Sequence, residues 1–122
     1  RMKTALNSMT MCNYTKIFVK LDRPFWASDI RYVIRAGPPR GRCVVWQPLE
    51  PDMAVVTTTG NEGRRAEQLG AEELKSELAT ALSEMYADAP KILQAEATRW
   101  SSDPFFKGAY SFLPTNSLPD GW

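Results

Sequence analysis

Polar and apolar side chains alternate from Asn13 to Leu21, and the segment is rich in β-branched and aromatic residues. That is the pattern of a half-buried strand. Thr15, Ile17, Val19 and Leu21 fall on one face, and Tyr14, Lys16, Phe18 and Lys20 on the other. Asp22-Arg23-Pro24 ends the run, because proline has no N–H for a ladder. Residues 30–35 and 42–47 read as two more strands, joined through the turn-forming Gly37-Pro38-Pro39-Arg40-Gly41 into a hairpin with a long loop. The stretch from Pro48 to Pro51 breaks the second of them, residues 53–59 form a fourth strand, and Gly60-Asn61 makes a turn.

The period then changes. Glu62 to Gln68 is a polar stretch read as a short helix, and Gly70 separates it from a helix over 71–86. There Leu74, Leu78, Leu82 and Met85 make one apolar stripe. Glu72, Glu73 and Glu77 load its first half with negative charge, which suits the helix dipole. Asp88-Ala89-Pro90 ends the helix, and a fifth strand spans 92–99. Residues 1–9 have a loose helical spacing, while residues 100–122 read as a coil dense in aromatics, serine, glycine and proline. The order fits an α+β domain: a mixed β-sheet of about five strands, or an antiparallel one, with one or two helices on one face. The helix stripe is expected to face Ile17 or Val19 and Val55. Trp26, Phe25 and Phe105 are expected in the core, and Glu62, Glu67 and Glu72 in solvent. The long aromatic coil points to function or to missing context, as for a piece of a longer chain.

Composition removes several chemistries. Among 122 residues there is no histidine, so a Ser-His-Asp relay or an imidazole zinc site is excluded within this chain. Two cysteines, Cys12 and Cys43, are too few for a disulfide scaffold or a four-cysteine metal site, and they read as free thiols or as one bridge. No metal site is expected. Fifteen basic residues against fourteen acidic ones, with no long block of one sign, point to neither nucleic acid nor an anionic membrane surface. No apolar run approaches the roughly 20 residues of a membrane span. No apolar signal core follows Arg1-Met2-Lys3. No G-x-G-x-x-G follows a strand.

Several segments, in order, carry a resemblance. Tyr14-Thr15-Lys16-Ile17-Phe18 with Arg23-Pro24-Phe25-Trp26 resembles the lysine-bearing strand of flavin-dependent amine oxidases. Trp46-Gln47 and Val55-Val56-Thr57-Thr58 resemble the strands that follow in the plant-type polyamine oxidase branch, and Gly63-Arg64-Arg65-Ala66-Glu67-Gln68 resembles the helical cover of that sheet. The most specific match is Thr98 to Ser111, which resembles the segment returning from the substrate domain to the flavin. The resemblance implies a partial substrate-binding domain at 1–99 and an aromatic linker at 100–122 returning toward an FAD-binding domain or chain that lies elsewhere. Its cofactor would be FAD and its substrate a small amine or polyamine.

The same resemblance implies the roles of single residues. In isolation Lys16 reads as a solvated strand lysine. The resemblance makes it the catalytic residue that holds a water near the flavin and assists reoxidation by oxygen. Tyr14 and Tyr110 would bind substrate, since aromatic faces attract cationic amines. Trp100, Gly108 and Ser111 would lie near the cofactor, with Gly108-Ala109 leaving room for close approach. Arg99 and Asp103 are expected to brace the loop by hydrogen bonds. The complete enzyme would oxidise amines with oxygen to an imine and hydrogen peroxide. Two alternatives stand beside it: a non-catalytic stand-alone domain serving as a structural or binding subunit, and a portion of an L-amino acid oxidase, which needs an arginine for the substrate carboxylate.

Overall fold

A computed structural model describes residues 2–38 and 41–114 of the chain. In chain order the elements are α1 (Met2–Ser8), β1 (Thr10–Cys12), β2 (Tyr14–Leu21), β3 (Val33–Ile34), β4 (Val45–Glu50), β5 (Met53–Thr59), α2 (Gly60–Gln68), α3 (Ala71–Met85), β6 (Ile92–Ala97) and β7 (Tyr110–Phe112). Five strands form one sheet in the order β3-β4-β5-β2-β6. Each of its four pairings is antiparallel. With the helices on one face this is the α+β architecture that the periodicities imply. No helix among the described residues is long and apolar enough to cross a membrane.

The alternation in β2 becomes its burial pattern. Thr15, Ile17, Val19 and Leu21 are buried, while Tyr14, Lys16 and Phe18 are exposed. Buried apolar groups fill the space between this face and the helices: Trp46 on β4, Val56 and Ala54 on β5, Ala95 and Ala97 on β6, and Leu74, Leu78, Ala81 and Leu82 on α3. Met85, the last residue of the predicted stripe, is partly buried against them. Val55 does not face the helix. It pairs with Phe18, so it points to the opposite side, and its neighbours Val56 and Ala54, opposite Ile17 and Val19, take the place foreseen for it.

Other departures have local causes. The strand foreseen at 30–35 shortens to Val33–Ile34, paired with Trp46 and Val45. The expected break at Pro48 does not occur, and β4 runs on to Glu50 with an irregular register beyond Pro48. Because β3 stops at Trp46, β4 is an edge strand at Pro48, where a missing N–H is tolerated. Part of the 100–122 coil is a strand, since Tyr110–Phe112 pairs antiparallel with Thr10–Cys12 in a separate two-stranded sheet. Residues 115–122 of that coil, and Pro39 and Arg40 of the hairpin loop, lie outside the described residues.

Trp26 is buried and Phe25 packs edge-on against it at 4.9 Å and against Tyr86 at 5.0 Å, as a core position requires. Phe105 is 91% exposed, which corrects its assignment to the core. Glu72 is exposed. Glu62 is half-buried between Arg42 (2.9 Å) and Arg65 (3.1 Å), and the hydrogen bond from Arg42, followed by that from Arg65, holds its carboxyl below the usual range. Arg65 also pairs with Glu77, so one cluster of charges ties the loop after β3 to α2 and α3. Glu67, expected in solvent, is buried. Cys12 and Cys43 are free thiols, and burial, then the nearby Glu77, pushes the Cys43 thiol up to about 11.

Candidate active site on the open face of the sheet

The helices cover one side of the sheet and leave the other to Tyr14, Lys16, Phe18 and Lys20 of β2, with Thr57 opposite Lys16 and Val55 opposite Phe18 on β5. Two lysines therefore share this face, and they differ. Lys20 Nζ pairs with Asp52 at 2.5 Å. Lys16 is held through its backbone: its N–H donates to Thr98 Oγ1 (3.1 Å) and its carbonyl accepts from Thr98 N (2.9 Å). Its side chain has no hydrogen-bond or ion-pair partner among the described residues, and it is exposed. A fixed strand thus presents an ammonium that no carboxylate among the described residues neutralises.

Tyr14 and Tyr110 meet although 96 positions apart in sequence: their ring centroids are 6.4 Å apart with planes tilted by 54°. Tyr110 reaches Tyr14 through β7, where it lies opposite Cys12. A hydrogen bond shared with Cys12, and the proximity of that thiol, raise the Tyr110 phenol above its ordinary range.

The approach of β7 to β1 depends on Gly108, whose φ is +149°. A Cβ there would lie 2.8 Å from Met11 Cβ and 3.1 Å from the Cys12 carbonyl oxygen, and the next residue, Ala109, donates its N–H to that carbonyl at 2.9 Å. The close approach at Gly108 is therefore made by the chain's own β1. Gly108→Ala is expected to lower stability by about 1–3 kcal/mol, the scale of one strained backbone residue, and to part the two tyrosine rings. Thermal unfolding with tyrosine fluorescence checks both, and an unchanged protein would show that the turn adapts.

Ser111 is exposed and sits opposite Met11. Trp100 stacks edge-on against Phe106, with centroids 5.3 Å apart, and makes no cation–π contact with Lys16 among the described residues. The structure thus joins Tyr14 with Tyr110 and places Lys16 on Tyr14's face. Arg99 and Asp103 brace the loop as expected. Arg99 donates to the Glu67 carbonyl (2.5 Å), and Asp103 Oδ1 accepts from the N–H groups of Phe105 (2.8 Å) and Phe106 (3.0 Å). Among the described residues no cluster of His, Cys, Asp or Glu is placed to hold a metal ion.

Pattern reasoning misses one buried polar group behind this face. Asn13 Nδ2 donates to Glu67 Oε1 (2.8 Å) and to Ser101 Oγ (2.6 Å), and Ser101 N donates to Glu67 Oε2 (3.0 Å). Thr15 Oγ1 lies 2.7 Å from Asn13 Oδ1, 3.1 Å from Glu67 Oε1 and 3.1 Å from the Gly63 carbonyl, and its single proton serves one of them at a time. The available signal is Thr15 itself: a hydroxyl on the apolar face of a strand requires a buried partner.

The profile of the family described as flavin containing amine oxidoreductase matches residues 2–122. The chain belongs to this family. It is 38% identical over 119 residues to polyamine oxidase 1 of Zea mays, covering 90% of this chain and 24% of that protein. It is 36% identical over 119 residues to polyamine oxidase 7 of Oryza sativa subsp. japonica, covering 90% of this chain and 25% of the relative. Polyamine oxidase 6 of the same rice is likewise 36% identical, with 24% of its length covered. The chain spans about a quarter of the length of these relatives. Membership implies a flavin cofactor. Lys16 suits the flavin: an unpaired ammonium, set on a face that also carries Tyr14 and Phe18, complements a group that gains negative charge on reduction.

Proposed function

We propose that this chain is the substrate-binding portion of an FAD-dependent amine oxidase, with a polyamine as the amine. Residues 1–99 then form the partial substrate domain and residues 100–122 the segment returning to an FAD-binding domain or chain. The observation that carries the reading is the pairing of Tyr14 with Tyr110 on the side of β2 that presents the unpartnered Lys16. Sequence kinship to polyamine oxidases supports the choice of polyamine.

A polyamine is a chain of ammonium groups at neutral pH, and aromatic faces attract such cations when water is excluded. Two tilted rings give one amine two walls and fix the direction of the carbon beside its nitrogen. Bound FAD supplies the acceptor for the hydrogen and electron pair leaving that carbon. Lys16 contributes three donors on a compact charge: it holds a water and stabilises negative charge arising in front of it. The imine so released hydrolyses in water. On the open face no strand position among the described residues carries an arginine, which favours an amine over an amino acid, whose carboxylate needs such a partner.

The test is the full-length protein, purified and examined for flavin absorbance, then mixed with spermine, spermidine, a simple monoamine and an L-amino acid. Peroxide released with the polyamines is the expected result. A flavin-loaded protein that yields peroxide only from the amino acid, or a colourless stable protein that yields none, would overturn the reading in favour of an amino acid oxidase or a non-catalytic domain.

A further inference from the structure

Two sheets carry the tyrosine pair. Tyr14 begins β2 of the large sheet, and Tyr110 belongs to the small sheet through its pairing with Cys12. Between Cys12 at the end of β1 and Tyr14 at the start of β2 lies one residue, Asn13. The angle between the sheets, and with it the gap between the rings, is therefore set where Asn13 sits. A single linking residue has two soft backbone angles and needs side-chain restraint to hold one value.

Asn13 has that restraint. It is 1% exposed, and both hydrogens of its amide are used, one on Glu67 Oε1 and one on Ser101 Oγ. Glu67 is 5% exposed, and its second oxygen accepts from Ser101 N. One carboxylate on α2 thus grips both the link between the sheets and the start of the segment that leads to β7. Gly63, one turn earlier on α2, closes the other side: a Cβ there would lie 2.0 Å from Asn13 Oδ1. A buried carboxylate is costly unless donors surround it, and these donors all belong to elements that bear or lead to the tyrosines.

We infer that Glu67 is a positioning residue for the amine-binding site: by clamping Asn13 and Ser101 it sets the distance between Tyr110 and the Tyr14–Lys16 strand. The inference rests on the proposed function for its link to the amine, and on geometry alone for the clamp. Glu67→Gln is the informative change. An amide has one acceptor oxygen, so it satisfies either Asn13 or Ser101 and turns an N–H toward the other. The clamp loses one arm while size and packing persist.

The experiment labels the full-length, flavin-loaded protein with 3-fluorotyrosine, assigns the Tyr14 and Tyr110 fluorine lines through Tyr→Phe variants, and compares Glu67→Gln, Gly63→Ala and Ser101→Ala with Glu84→Gln. Ser101→Ala removes the Oγ that accepts from Asn13 and keeps the main-chain N–H to Glu67, and because Ser101 is exposed this variant remains folded if the other two do not. Glu84 pairs with Arg35 outside the clamp, and its loss controls for general weakening. The expected result is displacement or broadening of the Tyr110 line in the three clamp variants and none in Glu84→Gln. With it goes a rise in amine KM of roughly tenfold for Glu67→Gln at little change in kcat, as for the loss of one cation–aromatic contact. An unmoved Tyr110 line in folded Ser101→Ala and in either other clamp variant overturns the clamp. A moved line with unchanged KM overturns its link to the amine. If the protein oxidises no amine, the proposed function fails, and the fluorine lines still decide the clamp.

Discussion

Leu78→Ala lowers the unfolding free energy by about 2–5 kcal/mol, the range for deleting a buried leucine side chain to alanine. Leu78 is fully buried at the centre of the α3 stripe, with Leu74 and Leu82 a turn to either side. It shares a wall with Ile17 of β2 and with Cys43. The cost goes beyond transfer of the lost carbons to water, because the ion pair joining Arg65 of α2 to Glu77 of α3 bridges the two helices and limits collapse into the space left behind. Urea unfolding followed by the fluorescence of the buried Trp26 and Trp46 measures it. Leu93→Ala, at a position 53% exposed, changes stability by no more than about 0.5 kcal/mol in the same assay. Equal values for the two leucines would mean that α3 does not dock on the sheet.

Lys16→Met in the full-length protein slows the oxygen half-reaction by on the order of a hundredfold, the scale for losing one preorganised charge partner, and changes amine binding little. Methionine keeps most of the stem's length and apolar packing and removes the ammonium. The charge matters most where negative charge develops, and the amine is itself a cation that gains nothing from a second one nearby. Lys20 does not substitute, because Asp52 already neutralises it. Stopped-flow spectroscopy of the two half-reactions, run separately, checks the split. A variant with both half-reactions intact would return Lys16 to the role of a solvated strand lysine.

The legible parts of the fold are those where one side of an element is buried and the other is not. β2 and α3 announce their faces because Ile17, Val19 and Leu21 recur at period two and Leu74, Leu78 and Leu82 near period four. β5 does not: Ala54, Val55 and Val56 are all buried, so the run has no phase, and the side Val55 takes is decided by its pairing with Phe18. The three-residue strands β1 and β7 are too short to show a period. Phe105 is apolar, yet the carboxylate of Asp103 organises a turn that holds it outward. The site divides in the same way. That Tyr14 and Lys16 share a face follows from alternation alone. The meeting of Tyr14 with Tyr110, and of Asn13 with Glu67 and Ser101, joins residues far apart in the chain, and no local pattern encodes such pairs.

The place of β2 between β5 and β6 governs how this chain reaches its native state. Its partners are encoded far downstream, so that Ile17 finds Val56 on one side and Ala97 on the other. Such non-local pairing requires large loops to close before any contact rewards it, and folding of this kind is slow. During synthesis β2 leaves the ribosome well before β6 exists, with both edges open and an apolar face uncovered. Nascent chains in that condition engage chaperones or one another until Ile92–Ala97 arrives to close the sheet.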